Sequence, residues 1–574
     1  MKAPIRKNHE QRSVTGEAQH LVISFKKNVV DNFKDFQVSS FRPVLGGFVV
    51  SVLWMMRPKS LLLAGLSLSF LLNLQAQTTG ISGKYEGTAD LQGTGTLKIS
   101  AEISEIGNKI TGVIHTPLGD AEIIEGTYSA SVLALTVDAG GDDLLLNGNV
   151  SADRKISGQV SGEIAKGTFE LKRVGDIPPE SETKAVIHQS KEKWHEDLRF
   201  LAAELPKKHK NAFNLISKEQ FDSMVADLDS KIPSLSDEQI ILGMGRIVSR
   251  IGDGHTGLGW AWLFPRVPIR MFWFGKELRV VQAGKAFPRL SGARITRIDG
   301  RKVEELYERS REYIAPNESE QYVLNADPYL LTYPVFLKVL GAGNSDDGIK
   351  FDFTDLRGHK GSIELKAAAP GEKIDWIEAY KTAPLYLQHP DEPFFYEYLK
   401  DAKTVYVNFK WYPRRPQFKK FSNELFNFID KNDVRKLVFD LRLNGGGDFT
   451  RGRDYFIKPL KERKKFLERG RLFTIIGRQT FSAGMANSAD FRNDLKAILV
   501  GEPTGARPNG YQENRSFSLP NSHLPVSYST ELYKFSETDT PGIIPDKLIA
   551  PDWKSYLAGR DPVMEWILSY PSMK

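Results

Sequence analysis

The 574-residue chain contains no cysteine. That rules out disulfide staples and removes any site for a lipid anchor after a signal peptide, and it suits an oxidising compartment, where a stray thiol is a liability. Metal-ligand spacing is missing too: there is no HExxH and no comparable His/Asp pattern. A sustained excess of one charge is also lacking. The formal charge is +7, but +6 of it falls before residue 77. The rest of the chain carries a net +1, which gives no electrostatic reason to bind a polyanion and argues against a nucleic-acid partner.

The apolar run at residues 61–74 is about 14 residues, short of the roughly 20 a membrane-spanning helix needs. It lies within MMRPKSLLLAGLSLSFLLNLQAQ, a basic start followed by an apolar stretch and then a small residue, Ala76. This pattern is that of a secretory signal peptide from Met55 to Ala76, with a retained anchor as the alternative. The expected location is therefore periplasmic or secreted, with no stable membrane anchor. A translation start at Met55 or Met56 is the simplest account of the 54 residues ahead of it, and leaves 1–54 outside the mature protein.

Length alone calls for several domains. Residues 80–174 are rich in Gly, Thr, Ser and Ile, alternate in runs such as TLKISAEI, and have no helical period, which predicts an all-β accessory barrel or sandwich. An internal repeat supports this: KITGV at 109–113 with GTY at 126–128 is echoed by KISGQV at 155–160 with GTF at 167–169. IPPESETK at 177–184 is a polar linker. A helical domain follows at 185–258, with Trp194, Leu198, Leu201 and Leu205 on one face and capping boxes at Ser217…Gln220 and Ser236…Gln239.

Residues 259–372 return to mixed β character. Within them GARITRIDGRKVEEL pairs a strand, a turn at Asp299-Gly300 and a helix, and resembles part of a PDZ-like module, which takes an extended peptide onto a sheet edge. From 395 to 570, strands at 404–411, 436–441, 472–476 and 497–501 alternate with helices at 418–430 and from Ser482, predicting an α/β core with parallel pairs. A hairpin of 517–519 with 526–528 and a last helix after Asp561-Pro562 complete the expected multidomain α+β architecture.

Three places concentrate chemistry. In TFSAGM, Ser482 stands at a strand-to-helix turn, where its hydroxyl can project and the following amides, starting with Ala483, sit at a positive helix end. It reads as a serine nucleophile or as a plain helix cap. Gly445, Gly446 and Gly447 follow an apolar strand and permit close approaches, as oxyanion donors or as a simple turn. A phosphate loop is excluded because Asp448-Phe449 stand where a P-loop has lysine and a hydroxyl residue. His255, between Gly254 and Thr256 just past a helix, is a candidate general base or a structural loop histidine.

Taken together, GDGHTGL, LVFDLRLNGGG, GRQTFSAGM, LVGEPTGARPN and GIIPD occur in the order of the C-terminal processing (tail-specific) serine peptidases, and residues from about 190 to 570 resemble the bacterial, tricorn-core-like branch of that family. The resemblance implies Ser482 as nucleophile, His255 as base, Gly446 and Ala483 as oxyanion donors, and no metal or cofactor. It also implies a carboxylate shortly before GIIPD: Asp539 by spacing, with Glu537 as the alternative. The lysine-dyad variant is disfavoured, because its position reads Gly505-Ala506-Arg507 and arginine cannot act as a base. The expected activity is hydrolysis of unstructured polypeptides or tails through an acyl-enzyme. The alternative is a peptide- or ligand-binding scaffold with an inactive protease core.

Overall fold

The computed structural model describes residues 80–106, 109–176, 185, 187–343 and 348–571. The expected leader at 1–54, the signal peptide at 55–76 and the linker at 177–184 lie outside the described residues. Those that are described fall into two compact units, an N-terminal barrel and the chain from residue 185 onward.

The first unit is a closed eight-stranded barrel running from Gly83–Leu91 to Gly167–Gly175, with first and last strands paired at Gly87 and Leu171. Strict alternation fills its interior: Ile99, Ala101 and Ile103 from one strand and Leu133, Leu135 and Val137 from another are all buried. The repeated segments become two equivalent hairpins, Lys109–Thr116 with Gly119–Ser129 and Lys155–Ser161 with Gly167–Gly175. Closure leaves no free sheet edge, which a small β unit without disulfides otherwise has to protect.

In the second unit three helices, Lys191–Lys208, Lys218–Lys231 and Asp237–Ser249, begin at Ser190, Ser217 and Ser236. Both expected capping boxes are formed. Trp194, Leu198, Leu201 and Leu205 are fully buried and share one core with Ile295, Phe351 and Leu365 of a seven-stranded antiparallel sheet. The turn at Asp299-Gly300 has both residues in the left-handed region, φ +46° and +80°, as a two-residue hairpin requires. Helix Val303–Ser310 follows it.

A six-stranded sheet forms the α/β core. Its order is Phe394–Leu399, Thr404–Phe409, Lys436–Asp440, Leu472–Ile476, Ile498–Gly501, Lys547–Leu548. The first pair is antiparallel and the rest are parallel. The inner strands are buried on both faces, as parallel strands under helices must be. Val405, Val407, Leu437 and Phe439 pack on helices Arg415–Lys431 and Ser482–Leu495. Tyr406, Val438, Phe473 and Ile475 pack on helix Pro562–Ser569, which Asp561 caps.

The hairpin is longer than its apolar signal suggested, Asn509–Ser518 with Pro525–Lys534, and the short strand Gly257–Leu258 extends it. Its outer half, NGYQENRS, is polar and partly exposed, so it carried no hydrophobic alternation to read.

A buried ion pair ties the seven-stranded and six-stranded sheets of this unit together. Arg478 grips both oxygens of Glu502 at 3.0 and 2.7 Å and donates a third bond to the Trp273 carbonyl at 3.0 Å. Both side chains are less than a tenth exposed, so removing one partner strands a buried charge. Glu502→Ala is expected to lower the unfolding free energy by about 3–5 kcal/mol in urea titrations, and adding Arg478→Met is expected to recover most of that loss.

Candidate active site

The parallel sheet sets the geometry first. Strands Lys436–Asp440, Leu472–Ile476 and Ile498–Gly501 run the same way, so the segments leaving them, 441–447, 477–482 and 502–507, emerge at one edge. The glycine turn and the serine turn are therefore neighbours, although about 36 residues of chain separate Gly446 from Ser482.

Asn444, with no exposed surface, joins them. Its carbonyl accepts the Phe481 N–H at 2.9 Å, its Oδ1 accepts the Gly446 N–H at 3.0 Å, and its Nδ2 donates to the Phe409 carbonyl at 3.1 Å. The approach is so close that a Cβ at Gly446 would lie 2.6 Å from the Ser482 Cβ, and one at Gly484 would lie 2.6 Å from the Asn444 carbonyl oxygen. Gly446 also has φ +117°, a conformation closed to most residues.

Ser482 is not a cap. The N-cap is Phe481, and Ser482 is the first helical residue, held at φ +47°. Among the described residues its hydroxyl has no hydrogen-bond partner. A left-handed non-glycine residue carries about 1–2 kcal/mol of strain, tolerated here because the Asn444 contacts and the buried helix Ser482–Leu495 define the turn. The Ala483 N–H lies 3.3 Å from the point a Gly446 Cβ would occupy, and no acceptor among the described residues takes it. The Gly446 N–H is different. It is already engaged by Asn444 in an Asx-type turn, so Gly446 supplies open space beside the serine rather than a ready donor.

The His255 ring packs against Phe481, the residue before the serine, with centroids 4.8 Å apart, and Tyr322 packs at 5.3 Å from Phe481. The loop carrying His255 is held by backbone contacts on every side. Asp253 Oδ1 accepts the His255 N–H at 3.2 Å and the Ser529 hydroxyl at 2.6 Å, while its Oδ2 takes His209 Nε2 at 2.8 Å. His209 Nδ1 accepts the Asn211 N–H at 3.0 Å, so the proton of this buried imidazole resides on Nε2 and points at Asp253. Burial alone would raise Asp253, but the His209 and Ser529 contacts outweigh it and hold the carboxyl below its ordinary value.

A second carboxylate, Glu318, accepts the Gly254 N–H at 2.9 Å through Oε1 and the Arg507 N–H at 2.9 Å through Oε2. Burial pushes it up to about 7 despite those two donors. Arg507 itself donates to Asn317 and to Asp539 Oδ1 at 2.8 Å. Asp539 is mostly exposed, and Glu537 is exposed as well. Asp539 thus stands two residues removed from the His255 loop, behind Arg507 and Glu318.

A cavity of about 1090 Å³ in this unit reaches the site: Gly254, Thr256, Gly445 and Phe481 belong to its wall, with Phe272, Tyr386 and Tyr556 among the aromatic residues farther along it. Its size and largely apolar wall suit an extended organic substrate better than a small polar one.

Three participants escaped the sequence reading: Asn444, Glu318 and His209. Asn444 lay inside the quoted motif, next to the glycines, and an Asn that precedes a glycine turn is a recognisable turn former. Glu318 and His209 carried no local signal beyond the cap at Ser319.

No known protein family matches the chain, and neither does any curated protein. Among solved structures the chain is similar to mature CPAF complexed with lactacystin, at 10% identity and a TM-score of 0.45 over 66% of this chain and 97% of that one. It is similar to the photosystem II D1 C-terminal processing protease at 13% and 0.32, over 64% and 98%. An S41 protease from Bacteroides fragilis gives 11% and 0.28, over 55% and 85%.

Two outcomes are expected. Glycine relieves the strain at position 482 and alanine keeps it, so Ser482→Gly should unfold at higher urea than Ser482→Ala, by about 1 kcal/mol. For Glu318 the folded value, about 7, lies above the ordinary 4.5, so the folded chain keeps a proton that the unfolded chain releases between these values. Its contribution therefore favours folding most at the acid end and is lost as pH rises through 7. That amounts to roughly 3 kcal/mol, and the stability gap between wild type and Glu318→Gln should shift by this amount between about pH 4.5 and pH 8.

Proposed function

We propose that the protein is a serine peptidase that hydrolyses polypeptides through an acyl-enzyme. The observation that carries this reading is the strained Ser482, its hydroxyl uncommitted, at the first position of a buried helix with the open Ala483 amide beside it. A serine held only for packing has no reason to occupy that backbone conformation.

In the proposed reaction His255 removes the Ser482 proton as Oγ attacks the substrate carbonyl. The oxyanion that forms is met by the Ala483 N–H and by the positive end of helix Ser482–Leu495, and the Gly446 amide joins if Asn444 releases it. The imidazolium then passes its proton to the leaving amine. Water, deprotonated by His255, attacks the acyl-serine and frees the enzyme. Each step needs only protons that the serine, the histidine and water supply, so neither metal nor cofactor is called for. Asp539 is assigned an outer bracing role: it holds the Arg507 side chain, whose amide holds Glu318.

The substrate class is unstructured polypeptide, supported by the size of the cavity, about 1090 Å³, and its largely apolar wall. The proposed location, periplasmic or secreted, rests on the signal-like segment at 55–76, and the seven-stranded antiparallel sheet with the Asp299-Gly300 hairpin is the proposed PDZ-like element.

The mature chain, incubated with a denatured protein and analysed by mass spectrometry, should yield defined peptides. Ser482→Ala and His255→Ala should each reduce cleavage by at least about 10³-fold, and a fluorophosphonate should label wild type at Ser482 only. An active His255→Ala variant would remove the histidine from the mechanism. A folded wild type that is neither labelled nor active would favour a binding scaffold. Gly446→Ala should also abolish labelling, because its methyl would strike the serine.

A further inference from the structure

Between the His255 loop and the segment that follows strand Ile498–Gly501 lies a three-residue turn, Asn317, Glu318 and Ser319. Asn317 and Glu318 each bridge the two, and Ser319 fastens the turn to the second. The Asn317 N–H donates to the Gly252 carbonyl at 3.0 Å, and Asn317 accepts from the Arg507 guanidinium. Glu318 accepts from Gly254 on one side and from Arg507 on the other. The Ser319 hydroxyl is shared between the carbonyls of Thr504 and Gly505, at 2.8 and 3.0 Å. Thr504 Oγ1 in turn accepts the Ile543 N–H at 2.8 Å, which brings the late GIIPD stretch onto the same frame.

Of the two residues that bridge, Asn317 does so through neutral groups and Glu318 alone uses a charge. We propose that ionised Glu318 is a positioning residue of the acyl-transfer site, clamping the backbone of the loop that carries His255 to the backbone of Arg507 through its two carboxylate oxygens. This rests on the reading of His255 and Ser482 as base and nucleophile.

The chemistry of the clamp is specific to a carboxylate. Two N–H donors face two oxygens, and only the ionised form presents both as acceptors without a proton of its own. Protonation makes one oxygen a hydroxyl, a much weaker acceptor than a carboxylate oxygen, so one of the two bonds weakens. A glutamine has the same defect permanently, with no titration. The group is partly buried, which limits the water available to replace the bond that is lost.

The charges that face Glu318 act in opposite senses. Asp253, from the loop after helix Asp237–Ser249, opposes its ionisation, and Arg507, from the segment after strand Ile498–Gly501, favours it. Beyond them, His209 pairs with Asp253 and Asp539 pairs with Arg507, and Tyr322, in the helix Glu320–Leu330 that Ser319 caps, is a further ionisable neighbour. Burial is the largest influence, so the clamp closes as pH rises through about 7.

The test uses the mature full-length chain and two readouts. The first is the rate of fluorophosphonate labelling of Ser482 against pH in wild type, Glu318→Gln and Glu318→Asp. The second is hydrogen–deuterium exchange of peptides covering 253–258 and 504–508, corrected for intrinsic exchange.

Glu318→Gln is expected to label at least about tenfold more slowly at pH 8, to lose the component of the wild-type profile that titrates near neutrality, and to exchange faster in both segments together. Glu318→Asp, which keeps the charge on a shorter reach, should restore the titrating component but only part of the rate. If Glu318→Gln does not fold, wild type alone decides the question: protection of both segments should fall together as pH is lowered from about 8 to about 6.

Labelling of Glu318→Gln within twofold of wild type with an unchanged profile overturns the proposal, as does unchanged exchange in the two segments. Wild type that is never labelled overturns the peptidase reading instead, while the exchange measurements still show whether the clamp exists.

Discussion

The backbone and side chain of Asn444 together make the constraint on which the site depends. Two turns from different strands must meet with a serine projecting between them, and nothing in a parallel sheet forces their tips into register. Asn444 does so by using three of its polar groups at once, one on the serine turn, one on the glycine turn and one on the neighbouring strand. Fully buried, it has no water to fall back on, so each bond carries the cost of an unmet donor or acceptor should it break. That supplies the stiffness to hold Ser482 at φ +47° against its own preference.

A second theme is that the loop bearing His255 is fixed by charge. Asp253 is buried and Glu318 partly so, and they accept backbone N–H groups from consecutive residues of that loop. Their environments diverge. Asp253 is offered a histidine N–H and a serine hydroxyl, which favour the charged form, whereas Glu318 is offered two amides and a neighbouring carboxylate, which do not offset its burial. One carboxylate is thus a permanent anchor, and the other holds a proton until near neutrality. A stability-optimised sequence would put a neutral acceptor at 318; the folded state carries a penalty there above pH 7, of the kind expected where a site is preorganised.

What could be read in advance follows from how local each signal is. Helix starts were legible because a cap and its partner lie three residues apart, and Ser217–Gln220 and Ser236–Gln239 form as written. The parallel core was legible because strands such as KLVFD and LFTII are apolar on both faces. The barrel followed from alternation and from the KITG/KISG echo. The PNESEQ stretch around Glu318, by contrast, reads as the start of a helix and nothing more. Its importance depends on being near Gly254 and Arg507, 64 and 189 residues away. His209 looks like one more polar residue after a lysine pair, and only the fold buries it against Asp253. Asp539 was selected by its distance from GIIPD, and spacing along the chain could not show that Arg507 stands between it and the His255 loop.

Sheet direction explains why these distant pieces converge at all. Five parallel strands follow one another in chain order across the sheet, so every strand-to-helix segment opens at the same edge, and each lies next to the one that follows it in sequence. The glycine turn, the serine turn and the Arg507 segment are three successive members of that series. An antiparallel core would have sent alternate segments to the opposite edge and separated serine from glycine. The His255 loop does not belong to the series. It arrives from the helical region, pairs Gly257–Leu258 with the hairpin, and needs the 317–319 turn to fasten it to the Arg507 member. The site is therefore rigid where the sheet builds it and depends on Glu318 where the sheet cannot reach.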